Sequence, residues 1–129
     1  MDVVGDFITV LRNASSASKA SCSVQWSALR AGIAGILKDG GYIKDFAREQ
    51  DGNGHSVLKV FLKYVNGVPA VTEIGRIGSP GRRRYAAKNE IPSILGGIGE
   101  CVVSTSSGIF SGREAKKRGL GGELMCYVL

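Results

Sequence analysis

The sequence predicts an α+β fold built as two small lobes. The N-terminal lobe, residues 1–66, is expected to be an α/β unit with the order helix, strand, helix, strand, strand. The C-terminal lobe, residues 67–129, is expected to be β-rich with short helices. Three observations support this prediction: apolar residues at helical spacing in two early segments, alternating apolar and polar residues in both halves, and frequent turn residues after Pro69.

A first helix is predicted over residues 2–13. Its apolar side chains follow the i, i+3, i+4, i+7 spacing of one buried stripe, formed by Val4, Phe7, Ile8 and Leu11. Arg12 lies on the flank of the opposite face, which is polar and consists of Asp2, Asp6, Thr9 and Asn13. On the residues alone, contact with solvent explains this polar face. The small polar segment that follows, residues 14–21, is expected to be a loop.

A second helix is predicted to begin after Ser27 and to end before Gly40-Gly41. Ser27 is a typical N-cap, because its hydroxyl can accept a hydrogen bond from a backbone N–H of the first turn. Residues 42–46 and 56–65 are then predicted as antiparallel strands around a turn-rich loop. In the second strand the apolar residues Leu58, Val60, Leu62 and Tyr64 alternate with polar ones, as expected for a sheet with one buried face.

The second half begins with a predicted hairpin of residues 71–77 and 82–85 around a Pro-Gly turn. Ser111 and Glu114 have the spacing of a capping box, which predicts a short helix through Arg118, ended by Gly119. The other elements expected here are a short helix over residues 90–95, a buried strand over 100–104, a loop at 105–108 and a final strand over 123–129.

Positive charge is concentrated in one segment. The chain has a formal net charge of +6, and residues 76–118 alone carry nine basic and three acidic side chains. Residues 1–75 carry eight basic and seven acidic side chains, and the last eleven residues add only Glu123. Solubility gives no reason for such segregation, so we expect a polyanionic partner, in the first place a nucleic acid.

Other function classes lack support in the sequence. The three cysteines Cys22, Cys101 and Cys126 form no C-x-x-C pair, so neither a disulfide framework nor a metal site is expected. His55 is the single histidine, and no nucleophile motif surrounds the serines, so a catalytic role is not expected. No cofactor is expected either.

Residues 1–11 lack the basic start of a secretory signal, and no apolar run is long enough for a membrane span. We therefore expect a cytoplasmic protein without a membrane partner.

Residues 104–122, STSSGIFSGREAKKRGLGG, combine short hydroxyl side chains with basic ones. Serine and threonine hydroxyls both donate and accept hydrogen bonds, and they can approach the shallow minor groove of A-form RNA, where 2′-hydroxyls and base edges are displayed. Flanking lysines and arginines would bind phosphates and set the register. A surface loop beside an ordinarily charged helix end is the alternative explanation of the same residues.

The same stretch resembles the bacterial-type small-subunit ribosomal protein eight family. The resemblance is carried by STS-x-G, R-E-A, G-G-E and the terminal C-Y-V within residues 104–128, and by Arg83, Tyr85 and the run LGGIG at 95–99. It implies a two-lobed, non-enzymatic binder of small-subunit ribosomal RNA that grips an irregular helix of the central domain and helps to assemble it. Implied partners are neighbouring small-subunit proteins, number five among them, and in some bacteria the messenger of its own operon.

The basic segment and the resemblance together give the candidate RNA-binding residues. On the C-terminal half they are Arg82, Arg83, Arg84, Tyr85, Ser104, Thr105, Ser106, Ser107, Gly108, Arg113, Lys116, Lys117, Gly121, Gly122 and Glu123. On the first helix they are Asp2, Thr9, Arg12 and Asn13. Two alternatives stay open at this point: a regulator whose main target is messenger RNA, and an enzyme that uses the serine loop on a phosphorylated substrate.

Overall fold

The computed structural model describes residues 2–129 and confirms the α+β class. The first half contains α1 (Val3–Ser16), β1 (Ser21–Gln25), α2 (Ala28–Asp39), β2 (Ile43–Gln50), β3 (Ser56–Leu62), β4 (Tyr64–Val65) and β5 (Val68–Pro69). The second half contains β6 (Ile74–Arg76), β7 (Arg84–Ala86), a 3-10 turn (Ile94–Gly97), β8 (Glu100–Thr105), β9 (Gly108–Ser111), α3 (Gly112–Arg118) and β10 (Gly122–Val128).

The helix caps predicted at Ser27 and Ser111 are confirmed, and Asp2 is a further cap that was not predicted. The Asp2 side chain caps α1 by accepting from the Gly5 N–H, and the Ser27 hydroxyl caps α2 by accepting from the Arg30 N–H. The Ser111 hydroxyl caps α3 in the same way. Gly119 ends α3 with a left-handed φ of 70°, a conformation that glycine adopts without steric cost.

The N-terminal sheet is antiparallel with the strand order β1-β3-β2. The alternation in β3 is confirmed, since Leu58, Val60 and Leu62 are buried and belong to the same core as the apolar stripe of α1. The expected loop at residues 14–21 is wrong at both ends. Ala14 continues the buried stripe of α1 by one more turn, and Ser21 begins β1, which is held by pairing with β3.

The C-terminal sheet has β10 at its centre. Strand β10 pairs with β8 on one side, and β8 pairs with β9. On the other side β10 pairs with both β6 and β7, which lie end to end along the same edge. The predicted hairpin of residues 71–77 and 82–85 is therefore wrong in its pairing. The tight turn between Ser79 and Arg82 forms, but both flanking strands find β10 as their partner.

Two further predictions are corrected in the second half. Residues 105–108 are a tight hairpin turn between β8 and β9, and strand β9 was not expected. The helical turn expected at residues 90–95 is the 3-10 turn Ile94–Gly97, which begins after the buried side chain of Ile91. These differences arise from pairing with distant strands, which local residue patterns do not specify.

Two hydrophobic clusters hold the fold together. The larger cluster joins α1, α2 and the N-terminal sheet to buried side chains of the second half, among them Ile74, Val102 and Cys126. The smaller one packs α3 on the opposite face of the C-terminal sheet, through Ala115 against Val103 and Leu124. Since the larger core includes both halves of the chain, the lobe boundary at residue 66 stays a prediction.

Candidate RNA interface

The turn between β8 and β9 is exposed at one end of the C-terminal sheet. Thr105 pairs with Gly108, and Ser106 and Ser107 form the tip between them. Ser106, Ser107 and Gly108 are exposed, while Ser104 and Thr105 are half-buried. Within residues 2–129, the hydroxyls of Ser104, Ser106 and Ser107 make no hydrogen bond to the protein. The tip therefore presents free donors and acceptors to solvent.

The paired glycines Gly121 and Gly122 lie against this turn. A Cβ at Gly122 would overlap the carbonyl oxygen of Ser104 and would lie 3.1 Å from the Cα of Thr105. A Cβ at Gly121 would lie 2.5 Å from the carbonyl oxygen of Ala86. Both glycines are thus needed where the start of β10 passes between two backbones. These two glycines therefore have a structural role in the candidate interface, because they allow the turn to lie close to β10.

Tyr85, Glu123 and Ser104 form one row across the sheet. Glu123 of β10 lies opposite Tyr85 of β7 on one side and opposite Ser104 of β8 on the other. Adjacent strands lie about 4.8 Å apart, so the backbones of Tyr85 and Ser104 are about 10 Å apart. The Tyr85 ring is 67% exposed. An aromatic ring and a free hydroxyl are therefore presented on the same face of the sheet.

The basic end of α3 lies at the same end of the sheet as the turn. Strand β9 leaves the turn at Gly108, and α3 then returns the chain to the start of β10 at Gly122. This return brings the end of α3 to the same end of the sheet as the hydroxyl-bearing tip. The Lys116 side chain, however, lies near Cys101 and Arg113 at the start of β8, so the structure does not place it beside the tip. Lys116 and Lys117 are both exposed.

Lys88 is a candidate that sequence reasoning missed. Its Cδ lies 3.9 Å from the position a Cβ would take at Gly119, so it joins the same end of the sheet. The charge count of residues 76–118 included this lysine, but no motif singled it out. Pairing of β7 with β10 brings it to the interface.

Ion pairs separate the basic residues of the segment 76–118 into two groups. Four arginines contact a carboxylate: Arg76 with Asp2 (3.2 Å), Arg83 with Glu123 (3.7 Å), Arg113 with Glu100 (3.8 Å) and Arg118 with Glu114 (2.9 Å). Among residues 2–129, no carboxylate partner is found for the other five, which are Arg82, Arg84, Lys88, Lys116 and Lys117. These five are the free cations of this segment.

Arg113 and Arg118 are directed toward the protein. The guanidinium of Arg118 lies 4.4 Å from the centroid of the Phe110 ring and also contacts Glu114. Arg113 lies at the N-terminal end of α3, about 10 Å from the other helix end, and donates to the Gly97 carbonyl at 3.0 Å. The structure therefore does not bring the candidate Arg113 together with the turn.

The candidates on α1 do not form one group with the turn. Asp2 lies near the sheet, where it caps α1 and pairs with Arg76. The Thr9 hydroxyl donates to the Gly5 carbonyl at 2.9 Å within the helix. Arg12 donates to the Ile74 carbonyl, and Ile74 pairs with Val128 at the far end of β10.

Strand β10 spans about 20 Å, so the last turn of α1 lies that far from the hydroxyl-bearing tip. The Asn13 side chain is exposed there. Arg12 and Asn13 therefore belong to a separate surface.

The described residues give no support to a catalytic site. His55 is exposed in its turn and contacts Asp51 at 3.6 Å. Within residues 2–129, no three histidine, cysteine, aspartate or glutamate side chains converge as metal ligands. No helix in that range is long and apolar enough to cross a membrane.

Comparison with known proteins identifies the family. A family model described as Ribosomal protein S8 matches residues 2–129. The small ribosomal subunit protein uS8 of Neisseria meningitidis serogroup C is 44% identical over 127 residues, which cover 98% of this chain and 96% of that protein. The proteins of the same name from Vibrio cholerae serotype O1 and Opitutus terrae are 45% and 46% identical over 127 residues, covering 98% of this chain and 96% and 98% of theirs. The chain therefore belongs to the ribosomal protein S8 family, whose members are structural, non-enzymatic proteins of the ribosome.

Proposed function

We propose that this chain is a primary binder of small-subunit ribosomal RNA, which grips an irregular helix of the central domain and helps to order it during assembly. Its relatives are named as proteins of the small ribosomal subunit. The chain is therefore a ribosomal protein and acts in the cytoplasm, where the ribosome is. One observation carries the finer proposal: free hydroxyls are exposed at the β8–β9 tip, at the end of the sheet to which the basic last turn of α3 returns the chain.

The two kinds of side chain have different tasks in this proposal. The hydroxyls of Ser104, Ser106 and Ser107 contact sugars and base edges in a shallow minor groove, where longer side chains would be too large. Lys116 and Lys117 contact phosphates on one side of them. The Tyr85 ring, in the same row as Ser104, offers an exposed face for stacking on an unpaired base.

The five free cations set the strength of the electrostatic contribution. If each contacts one phosphate, the logarithm of the binding constant falls against the logarithm of salt concentration with a slope of roughly −3 to −5. Since Arg83 contacts Glu123, it adds less to this slope than an unpaired arginine.

The proposal also includes protein partners. These are neighbouring proteins of the small subunit, number five among them, and this part of the proposal rests on the family resemblance.

The proposal is tested by equilibrium binding to a transcript of the central domain of bacterial small-subunit ribosomal RNA. Ser106→Ala should weaken binding by about 1–2 kcal/mol, the cost of one lost hydrogen bond in a buried interface. Lys116→Ala should weaken binding to this transcript and to a random RNA of equal length alike. Ser93→Ala is the matched control, because Ser93 is exposed and makes no side-chain cap hydrogen bond.

The result that counts against the proposal is equal affinity of the wild-type protein for the central-domain transcript and for the random RNA. A messenger of the chain's own operon that folds like the ribosomal site would bind the same surface. Sedimentation of the protein with small subunits in a cell extract, and not with free messenger, is the outcome expected for a ribosomal protein.

A further inference from the structure

The Thr105 side chain is engaged within the turn that it was expected to present to RNA. Its hydroxyl donates a hydrogen bond to the Gly108 carbonyl at 2.7 Å. The same oxygen accepts a hydrogen bond from the Ser107 N–H at 3.1 Å. A hydroxyl has one donor and two acceptor sites, so these two bonds leave Thr105 a single acceptor site.

The backbone of the turn shows what the Thr105 side chain holds in place. Two-residue hairpin loops favour turns with positive φ, because their twist matches the twist of the strands. Within residues 2–129, positive φ in residues other than glycine is confined to Ser18, Asn66 and Leu95, so both tip serines have negative φ. Gly108 has a φ of 127°, in open space. The positive φ of this turn therefore falls on glycine, and the Thr105 hydroxyl links the two ends of the turn.

We propose that Thr105 is a positioning residue of the interface: its hydroxyl closes the turn and sets the direction in which the Ser106 and Ser107 hydroxyls point. Thr105 itself leaves the contacts with bases and sugars to the neighbouring serines Ser104, Ser106 and Ser107. This inference rests on the proposed RNA-binding function and deepens it. It separates the threonine from the serines of the same motif, although all of them carry a hydroxyl.

Binding of three variants to the central-domain transcript tests the inference. Thr105→Val keeps the shape and removes both hydrogen bonds, and we expect about a tenfold loss of affinity. Thr105→Ser keeps the hydroxyl, and its affinity should stay within about threefold of the wild type. Thr72→Val is the matched control, because Thr72 is exposed and its backbone contacts Leu129 at the far end of the sheet; its affinity should be unchanged.

A double variant distinguishes positioning from direct contact. If Thr105 acts through Ser106, Thr105→Val combined with Ser106→Ala should lose little more affinity than the weaker-binding single variant. Two independent contacts would instead give losses that multiply, about a hundredfold together, and this would overturn the positioning role. Equal losses in Thr105→Val and Thr105→Ser would also overturn it.

A measurement on the free protein completes the test. In Thr105→Val the Ser107 amide should exchange with solvent at least several-fold faster than in the wild type, while the amides of β8 keep their protection. An unchanged Ser107 amide would contradict the closing of the turn by the Thr105 hydroxyl. If the wild-type protein does not prefer the central-domain transcript, the proposed function fails; if it does and Thr105→Val binds equally well, only the positioning role fails.

Discussion

Asp2 and Arg76 lie 3.2 Å apart and link the N-terminus of α1 to strand β6. The same carboxylate accepts from the Gly5 N–H at 3.0 Å, so one side chain caps the helix and fixes it to the C-terminal sheet. Burial raises the pKa of Asp2, but the Gly5 hydrogen bond and the Arg76 guanidinium outweigh it and hold the pKa below its ordinary value of 3.8. This residue was expected to contact RNA, and its contacts in the free protein are structural.

The lowered pKa of Asp2 predicts a pH-dependent contribution to stability. Because the folded state binds the proton less readily, this contribution is nearly complete above about pH 5 and is lost as the pH falls through the folded pKa. Asp2→Ala should lower the free energy of unfolding by about 1–2 kcal/mol at pH 7. Asp2→Asn keeps a capping group and should cost about 0.5 kcal/mol there.

Urea unfolding at neutral pH and at about pH 3 checks this prediction. The difference between the wild type and Asp2→Asn should be smaller at about pH 3 than at neutral pH, because protonation of the Asp2 carboxyl has begun there. A difference that is independent of pH would contradict the ionic link to Arg76.

Because some basic residues are free and others are paired with carboxylates, substituting them should change the salt dependence of RNA binding to different extents. Lys117→Ala should reduce the magnitude of the salt slope of RNA binding by about 0.7–0.9, the contribution of one phosphate contact. Arg118→Ala should change the slope less, because that guanidinium contacts Glu114 and the Phe110 ring. Fluorescence anisotropy at several salt concentrations measures both slopes. A larger change for Arg118→Ala than for Lys117→Ala would show that the paired arginine is the phosphate ligand.

Two glycine substitutions should have opposite effects on stability. Gly122→Ala would place a Cβ against the Ser104 carbonyl, so we expect a loss of about 1–3 kcal/mol and weaker RNA binding. Gly35→Ala in α2 meets no atom within 4 Å and should stabilise the fold by about 0.5–1 kcal/mol, because alanine favours the helix. Thermal unfolding of the two variants measures the difference. Equal stabilities would contradict the close approach of β10 to the turn.

The three cysteines should differ in reactivity. Burial raises the pKa of the Cys126 thiol to about 12, and burial also raises the pKa of Cys101 and of half-buried Cys22. With Ellman's reagent at about pH 8, Cys22 should react first, and the two buried thiols should react only after unfolding. Three rapidly reacting thiols in the native protein would contradict the core packing. Denatured protein provides the control, in which all three react.

Local signals in the sequence predicted the helices well. The stripe of Val4, Phe7, Ile8 and Leu11, the Ser27 cap and the Ser111–Glu114 box depend on residues within a few positions of each other. Helix formation is largely decided at that range. The buried strand at residues 100–104 was also recognisable, because a short β-branched run suits a central strand.

The pairing of strands that lie far apart in the chain could not be predicted from the sequence. Strand β1 consists largely of small polar residues and exists because its register with β3 satisfies its backbone. Arg83 and Tyr85 were recognised as candidates, but the Glu123 carboxylate that holds Arg83 comes from a strand forty residues later. Likewise, nothing in the letters STSSG distinguishes the hydroxyl of Thr105, which is engaged in the turn, from those of Ser106 and Ser107.

A hydroxyl-radical footprint on small-subunit ribosomal RNA, with wild-type protein and with Ser106→Ala, is the sharpest test of a minor-groove contact by the β8–β9 turn. We expect protection of the sugars of one short irregular helix in the central domain, and reduced protection at the same nucleotides with the variant at equal concentration. Protection that is spread over the RNA, or a local footprint that Ser106→Ala leaves unchanged, would contradict a minor-groove contact by the exposed β8–β9 turn.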